Sequence, residues 1–156
     1  MIQRIQTLYL LLVVVLTTVT FFSPVAGLQH AEQAAIYEMS YRGLFEMNVS
    51  GGSNMLANTW MLTALMALIP LLAFITIILF KKRMLQIRLI IFNIVLMAGF
   101  YGLMFIYLWQ YGKSLEASLF LEIPAAFPLV GIILSIMAIR AIGKDEALIK
   151  SLNRIR

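Results

Sequence analysis

The chain has 156 residues, of which 62% are hydrophobic and 12% are charged, and it contains no cysteine. A soluble domain usually carries about 25% charged residues, and a small soluble domain cannot bury this much apolar surface. The lack of cysteine excludes disulfides, thiol catalysis and thiolate metal sites. The composition therefore predicts a membrane protein with a single domain.

Four apolar stretches are long enough to cross a bilayer core of about 30 Å, which takes roughly 20 helical residues. They cover residues 5–28, 58–80, 89–109 and 124–142. We predict an all-α membrane protein whose residues 1–156 form one four-helix transmembrane bundle. The first stretch has a secretory signal peptide as its alternative interpretation, but its apolar run exceeds a usual signal core and favours an uncleaved anchor.

Positive charge is concentrated in three of the polar segments. The amino end, the link between the second and third stretches, and the tail at 143–156 together with Arg140 just before it hold ten Lys and Arg residues and two acids, a net charge of +8. The loops at 29–57 and 110–123 hold two cations and five glutamates, a net charge of −3. Because Lys and Arg are enriched in cytoplasmic segments, we predict that both termini are cytoplasmic.

The first outer loop, residues 29–57, shows period-2 alternation that predicts two strands. The alternating apolar residues are Tyr37, Met39 and Tyr41, and then Phe45, Met47 and Val49. A short connection at Arg42 and Gly43 predicts a small β-hairpin, while residues 29–35 are expected to extend the first helix. The hairpin is expected to pack on the helix ends, on the loop at 114–120, or on a partner. Its residues therefore have two interpretations, a local cap or a partner-binding surface.

The tail has a helical face of three apolar residues, Leu148, Leu152 and Ile155. Its other faces carry Lys150, Arg154 and Arg156. This pattern predicts a short basic amphipathic helix on the inner leaflet, with docking to a cytoplasmic partner as the alternative.

Three residues within or just before the apolar stretches have structural interpretations, and two of them also have functional ones. Asn93 is expected to form an interhelical hydrogen bond or to contact a substrate. Glu122 precedes Pro124 and is expected to cap the fourth helix or to serve as a functional acid. Pro70 is expected to kink the second helix. No ionisable residue falls in the middle of a span, where proton relays and ion-coupled transporters usually place one.

The sequence carries no recognisable catalytic constellation. His30 is the single histidine, which is too few for a zinc site and leaves any Ser-His-acid arrangement without a supporting motif. No Gly-rich phosphate loop is present, and basic residues are not interleaved with stacking aromatics as single-strand binding requires. We expect no enzyme activity, cofactor, metal or nucleic-acid partner.

The two ends of the chain carry a recognisable signature. Residues 1–7 read Met-Ile-Gln-Arg-Ile-Gln-Thr, and residues 144–151 read Lys-Asp-Glu-Ala-Leu-Ile-Lys-Ser. These motifs resemble a family of small four-span inner-membrane proteins of unknown function found in Bacteroidota. The resemblance implies a location in the bacterial inner membrane and a topology, but no activity. The layout is also similar to that of claudins, although their cysteine pair is missing.

The sequence favours a non-catalytic protein that acts by contact. We expect an accessory or scaffold subunit of an envelope complex, which uses its outer loop and basic tail. Its partners would be the lipid bilayer and another membrane or envelope protein, or a second copy of itself. The alternative is a small oligomeric transporter or channel-like protein for an apolar or lipidic molecule, with Asn93 along the path.

Overall fold

The structure, a computed structural model, describes residues 3–30, 36–47, 53–80, 82–114 and 117–153. It contains four long helices: α1 (Gln3–Phe22), α2 (Trp60–Ile78), α3 (Arg83–Ser114) and α4 (Phe127–Asn153). A 3₁₀ turn, Ile123–Ala126, precedes α4. All four helices are long and apolar enough to cross a membrane, so the predicted count of four is confirmed within the described residues.

Five short strands form one antiparallel sheet at one end of the helices. They are β1 (Ala26–His30), β2 (Ile36–Ser40), β3 (Gly43–Met47), β4 (Ser53–Ala57) and β5 (Ala117–Leu121). Their order is β4-β3-β2-β1-β5. The predicted hairpin is confirmed as β2 and β3, and it belongs to a larger sheet that also includes a strand from the loop between α3 and α4.

The first helix is shorter than predicted. It ends at Phe22, and the chain then continues as an extended segment and β1. Pro24 favours an extended conformation at the residue before it, so the apolar residues that follow pair as a strand. The predicted helical extension at 29–35 is therefore wrong at Gln29 and His30, while residues 31–35 lie outside the described part of the chain.

Two of the other helices are longer than predicted. α3 has 32 residues, which corresponds to about 48 Å at 1.5 Å per residue and exceeds a bilayer core. α4 starts at Phe127 and continues through Gly143 to Asn153. The expected separate tail helix is thus a continuation of α4, because no proline or other strong breaker interrupts it.

The helices pack around a shared apolar core, with α1 against α2 and α4, and α3 against α2 and α4. Val13, Met66, Met97 and Phe100 lie at its centre and are buried. Gly131 of α4 permits a close approach, since a β-carbon there would lie 3.3 Å from the sulfur of Met97. α2 continues through Pro70 without interruption.

The outward surface of the helices is also apolar. Between 28% and 33% of each apolar window is buried inside the protein. Large exposed side chains occur on every helix, including Leu11, Leu71, Val95 and Ile133. A helix that is apolar on all sides belongs in a protein core or a membrane, so this surface is compatible with lipid.

The sheet and the helices share one core. Leu28, Met39 and Leu44 are fully buried on the side of the sheet that faces the helix ends, and Val25, just before β1, is fully buried as well. They belong to the same apolar cluster as Leu62, Met104 and Leu108 of α2 and α3. The sheet is therefore an integral cap on the helices rather than a separate unit.

The hairpin turn differs from the predicted one by one residue. Ser40 pairs with Gly43, so the two turn residues are Tyr41 and Arg42. Gly43 has a φ of 141°, a conformation that glycine adopts easily and other residues rarely adopt. A β-carbon at Gly43 would also approach the carbonyl oxygen of Ala57 to 2.5 Å.

Candidate functional site

A two-residue turn pairs odd-numbered residues of β2 with even-numbered residues of β3. Tyr37 pairs with Glu46, and Met39 pairs with Leu44. Side chains directly opposite each other share a face of the sheet. The two predicted apolar sets therefore lie on opposite faces of the sheet, and Tyr37 and Met39 do not share a surface with Phe45 and Met47.

Tyr37 and Met39 lie on the inner face, which is packed against the helices. Their exposed fractions are 5% and 0%, so they cannot contact a partner in this structure. Leu44 completes their cluster and is also fully buried. These residues hold the sheet on the bundle.

The opposite side of the sheet, which faces away from the helices, is here named the outer face. The register aligns one row of residues across all five strands: Met55, Phe45, Glu38, Gly27 and Phe120. A second row contains Ile36 and Met47, which form a pair. The outer face therefore combines apolar side chains with one central carboxylate.

Several side chains of the outer face are accessible. Ile36, Met47 and Met55 are exposed, with Met55 at 52%. Phe45, Glu38 and Phe120 are half-buried. Such a surface can bind another apolar surface, and Glu38 can accept a hydrogen bond or an ion pair from a partner.

Gly27 and Phe120 form a local feature of the outer face. They are paired residues of β1 and β5, and a β-carbon placed on Gly27 would overlap the Phe120 ring. The ring therefore lies over the glycine, where any larger residue would displace it. This contact joins the two loops, which are far apart in sequence.

Both outer edges of the sheet are open among the described strands. β4 pairs only with β3, and β5 pairs only with β1. β5 contains no charged residue between Ala117 and Leu121. An uncharged edge strand offers backbone groups to which a further strand can be added.

The tip of the hairpin is fixed to the helices. The hydroxyl group of Thr63 in α2 donates a hydrogen bond to the carbonyl oxygen of Tyr41. The Tyr41 ring lies 5.1 Å from the ring of Phe21 at the end of α1. Arg42 Nε donates to the Tyr41 hydroxyl at 2.9 Å. Tyr41 is thus an anchor between the sheet and two helices, and the outer face is presented on a supported platform.

The remaining predicted contact residues are placed only in part. Val49 and Ile155 lie outside the described residues. Leu148 and Leu152 lie in the last turns of α4, but their side chains fall outside the described part. The predicted apolar face of the tail stays a prediction.

Asn93 is buried in the bundle, and its side-chain oxygen has no hydrogen-bond partner. Met97 of α3 contacts Gly131 of α4, so Asn93 and Ser135, each one turn away, lie at the same level of this antiparallel interface. The Ser135 hydroxyl is likewise buried without a partner. The expected interhelical hydrogen bond of Asn93 through this oxygen is therefore not formed.

Glu122 precedes the 3₁₀ turn but makes no side-chain capping bond. Its backbone N–H donates to the carbonyl oxygen of Val25 at 3.1 Å. Glu122 is thus the N-cap residue of the 3₁₀ turn rather than of α4, which begins at Phe127, and the expected side-chain cap of the fourth helix is not formed. The Tyr101 hydroxyl lies close to this helix start, donating to the carbonyl oxygen of Ala125 at 2.6 Å and accepting from the N–H of Leu129 at 2.9 Å.

Sequence reasoning missed most of the outer face. Ile36, Met55, Gly27 and Phe120 join Phe45 and Met47 only through strand pairing. The available signal for β5 was the run Ala-Ser-Leu-Phe-Leu at 117–121, a short apolar run that is consistent with a strand. No group of three or more His, Asp or Glu side chains that could hold a metal comes together among the described residues.

These features define a class of protein, in which four helices of membrane-spanning length carry a small antiparallel sheet built from both loops at one end. More particularly, the chain belongs to the family described as Domain of unknown function (DUF4293), whose model matches residues 2–155. The resemblance to an uncharacterised family is thereby confirmed. No match to the chain is found among the curated proteins.

Proposed function

We propose that this protein is a non-catalytic, multi-pass protein of the bacterial inner membrane that acts by contact. It serves as an accessory or scaffold subunit of an envelope complex. The contact surface is the outer face of the sheet, which lies on the extracytoplasmic side, and both termini are cytoplasmic. The basic carboxyl-terminal part of α4 provides a second contact region on the cytoplasmic side.

Charge and strand pairing support this topology. β5 pairs with β1, so the loop after α3 and the loop after α1 lie at the same end of the bundle. At the opposite end, Gln6 near the start of α1 reaches Asp145 near the end of α4. The sheet end carries the loops with a net charge of −3, and the other end carries the segments with +8, which favours a cytoplasmic location for the latter.

The outer face is the observation that carries the contact function. Exposed apolar residues on the helices are accounted for by lipid, but the outer face points away from the helices. Ile36, Met47 and Met55 are therefore exposed to water in the isolated protein. A rigid apolar surface of this kind is typical of a protein–protein interface. The partner is a membrane or envelope protein with an apolar patch and a cation that pairs with Glu38.

The part of the bundle interior that the structure describes gives no support to transport. A cavity of about 10 Å³ lies among the four helices, lined by residues that include Thr17, Met66 and Phe100. This volume holds about one water molecule. Asn93 is not among the residues that line it. A contact function therefore fits the molecule better than a passage for an apolar or lipidic molecule.

Site-specific photocrosslinking in living cells tests the contact function. A photoreactive residue at Met47 or Met55 is expected to give a discrete protein adduct of reproducible size. The matched control position is Leu71, which has a similar exposure of 56% but lies on the lipid-facing surface of α2. If Met47 and Met55 give no more protein adduct than Leu71, the contact function is rejected.

A second variant links the surface to the partner. Met47→Glu places a charge in the apolar part of the outer face and is expected to abolish the adduct formed at Met55. Asn54→Glu is the matched control. Asn54 lies on the neighbouring strand β4 and is exposed like Met47, but its side chain does not belong to the outer face. Loss of the adduct in both variants would indicate a general disturbance of the sheet rather than a specific interface.

A further inference from the structure

A groove of about 410 Å³ lies between the start of α1 and the last part of α4. α1 contributes Ile5 and Tyr9 to its lining, and α4 contributes Met137, Arg140 and Lys144. The groove lies at the end of the bundle opposite to the sheet. It is therefore separate from the outer face and from the contacts made there.

Two cations dominate the electrostatics of the groove. Arg140 and Lys144 are one helical turn apart on α4, and both are exposed. Neither forms an ion pair with a described side chain. Asp145 also lines the groove, so the three charged residues sum to a net charge of +1. This matches the single negative charge of one phosphodiester group.

The walls of the groove are held together by a buried polar contact. Asp145 is 6% exposed, and its Oδ2 accepts a hydrogen bond of 2.6 Å from Nε2 of Gln6. Its Oδ1 is buried and has no hydrogen-bond partner. The contact joins α1 to α4 directly beside the two cations. This contact therefore connects the two helices that form the walls of the groove.

The cations lie next to exposed apolar side chains. Ile5 and Met137 are 48% and 41% exposed, and both line the groove. A ligand that satisfies this arrangement has an anionic group at one end and a hydrocarbon chain beside it. Free phosphate would leave the apolar part of the groove uncovered, whereas a phospholipid would cover both parts.

We propose that this groove is a binding site for the phosphodiester headgroup of a phospholipid in the cytoplasmic leaflet. Arg140 and Lys144 bind the phosphate, and an acyl chain lies along Ile5 and Met137. Basic pockets between helices on the cytoplasmic side are suited to lipid headgroups. The site depends on the proposed placement of the helices in a bilayer, but not on any contact at the outer face.

Native mass spectrometry of the purified full chain tests the site. Delipidated protein in detergent is titrated with dioleoylphosphatidylglycerol, with monogalactosyldiacylglycerol, which lacks phosphate, and with inorganic phosphate. We expect one tightly bound phosphatidylglycerol. The double variant Arg140→Gln, Lys144→Gln is expected to weaken it about 30-fold, because each cation near a phospholipid surface contributes about a factor of five.

Two matched variants make the result specific. Lys82→Gln with Arg88→Gln removes the same charge from the same end of the bundle, outside the groove, and is expected to bind normally. Arg140→Lys with Lys144→Arg keeps both charges and is expected to keep binding, which covers the case in which the neutral variant fails to fold. Each of three results would overturn the proposal. These are equal binding of the galactolipid, full competition by inorganic phosphate, and an equal loss of phosphatidylglycerol binding in the two double glutamine variants. A loss of phospholipid binding with intact crosslinking at Met47 would separate this site from the contact function.

Discussion

The helical bundle and the sheet use apolar residues in different ways. In the bundle, buried and outward-facing residues are both apolar, because the surface is suited to lipid on all sides. In the sheet, the middle of one face is buried against the helices, and the other face is apolar but points away from them. Under the proposed function, an exposed apolar residue on the bundle faces lipid, whereas an exposed apolar residue on the outer face contacts a partner. Exposed apolar side chains therefore have different explanations on the helices and on the outer face of the sheet.

Two residues of β3 provide the sharpest contrast between the two faces of the sheet. Leu44 is fully buried on the inner face, and Met47 is 47% exposed on the outer face. Leu44→Ala is expected to lower the free energy of unfolding by about 2–5 kcal/mol through the lost burial and the cavity left behind. Met47→Ala is expected to change it by less than about 0.5 kcal/mol. Denaturant unfolding in a mild detergent measures both, and similar losses would show that the two faces are not distinct.

The hairpin turn gives the next largest effect. Gly43→Ala is expected to cost about 1–3 kcal/mol, because alanine is strained at a φ of 141°. Gly102→Ala in α3 is the control, since a β-carbon there meets nothing within 4 Å. It is expected to be neutral or stabilising, because glycine has a low helix propensity. If Gly43→Ala proves as harmless as the control, the turn does not have the conformation described.

The contact between the two loops is tested by a double-mutant cycle on Gly27 and Phe120. Gly27→Ala is expected to displace the Phe120 ring and destabilise the sheet, and Phe120→Ala to remove the obstacle. The double variant should therefore be more stable than the sum of the single losses predicts, with a coupling of about 0.5–3 kcal/mol. Additive losses in the unfolding free energy would mean that the ring does not cover the glycine.

The smallest effect is expected in the bundle at Ser135. Its hydroxyl is buried without a partner, so Ser135→Ala removes a desolvated group and leaves the volume almost unchanged. We expect the unfolding free energy to stay the same or to rise by up to about 1 kcal/mol. Thr20→Ala in α1 is the comparison, because the Thr20 hydroxyl donates to the carbonyl oxygen of Leu16 at 3.0 Å. A larger loss at Ser135 than at Thr20 would show that Ser135 is hydrogen-bonded.

The bundle could be predicted from the sequence because its signal is local. Each span is a continuous apolar run, so hydropathy alone identified four helices, and the matching family model covers residues 2–155. The ends of the helices were harder to predict from the sequence. Val25 to Leu28 are as apolar as the helix before them, and only Pro24 indicated that the chain leaves the helix there. The fourth apolar stretch ends at residue 142, yet α4 continues through Gly143 to Asn153.

The sheet could be predicted only in part because its signal is distributed along the chain. The hairpin of β2 and β3 is local and was visible as alternation, but its two faces depend on the turn. A two-residue turn places Phe45 opposite Glu38 rather than beside Tyr37. The pairing of Leu28 with Leu119 joins positions 91 residues apart, and no local pattern reveals it. The outer face is therefore a property of the fold, and its residues could not be grouped from the sequence alone.

Cysteine accessibility tests the central claim most directly, because the chain contains no cysteine and each introduced thiol is the single target. Met47→Cys places a thiol on the outer face, and Lys82→Cys places one in the link between α2 and α3. In spheroplasts, a membrane-impermeant maleimide is expected to label the first thiol at once and the second only after permeabilisation. Labelling of the thiol at position 82 in intact spheroplasts, with protection of the thiol at position 47, would contradict both the topology and the assignment of the sheet as an extracytoplasmic contact surface.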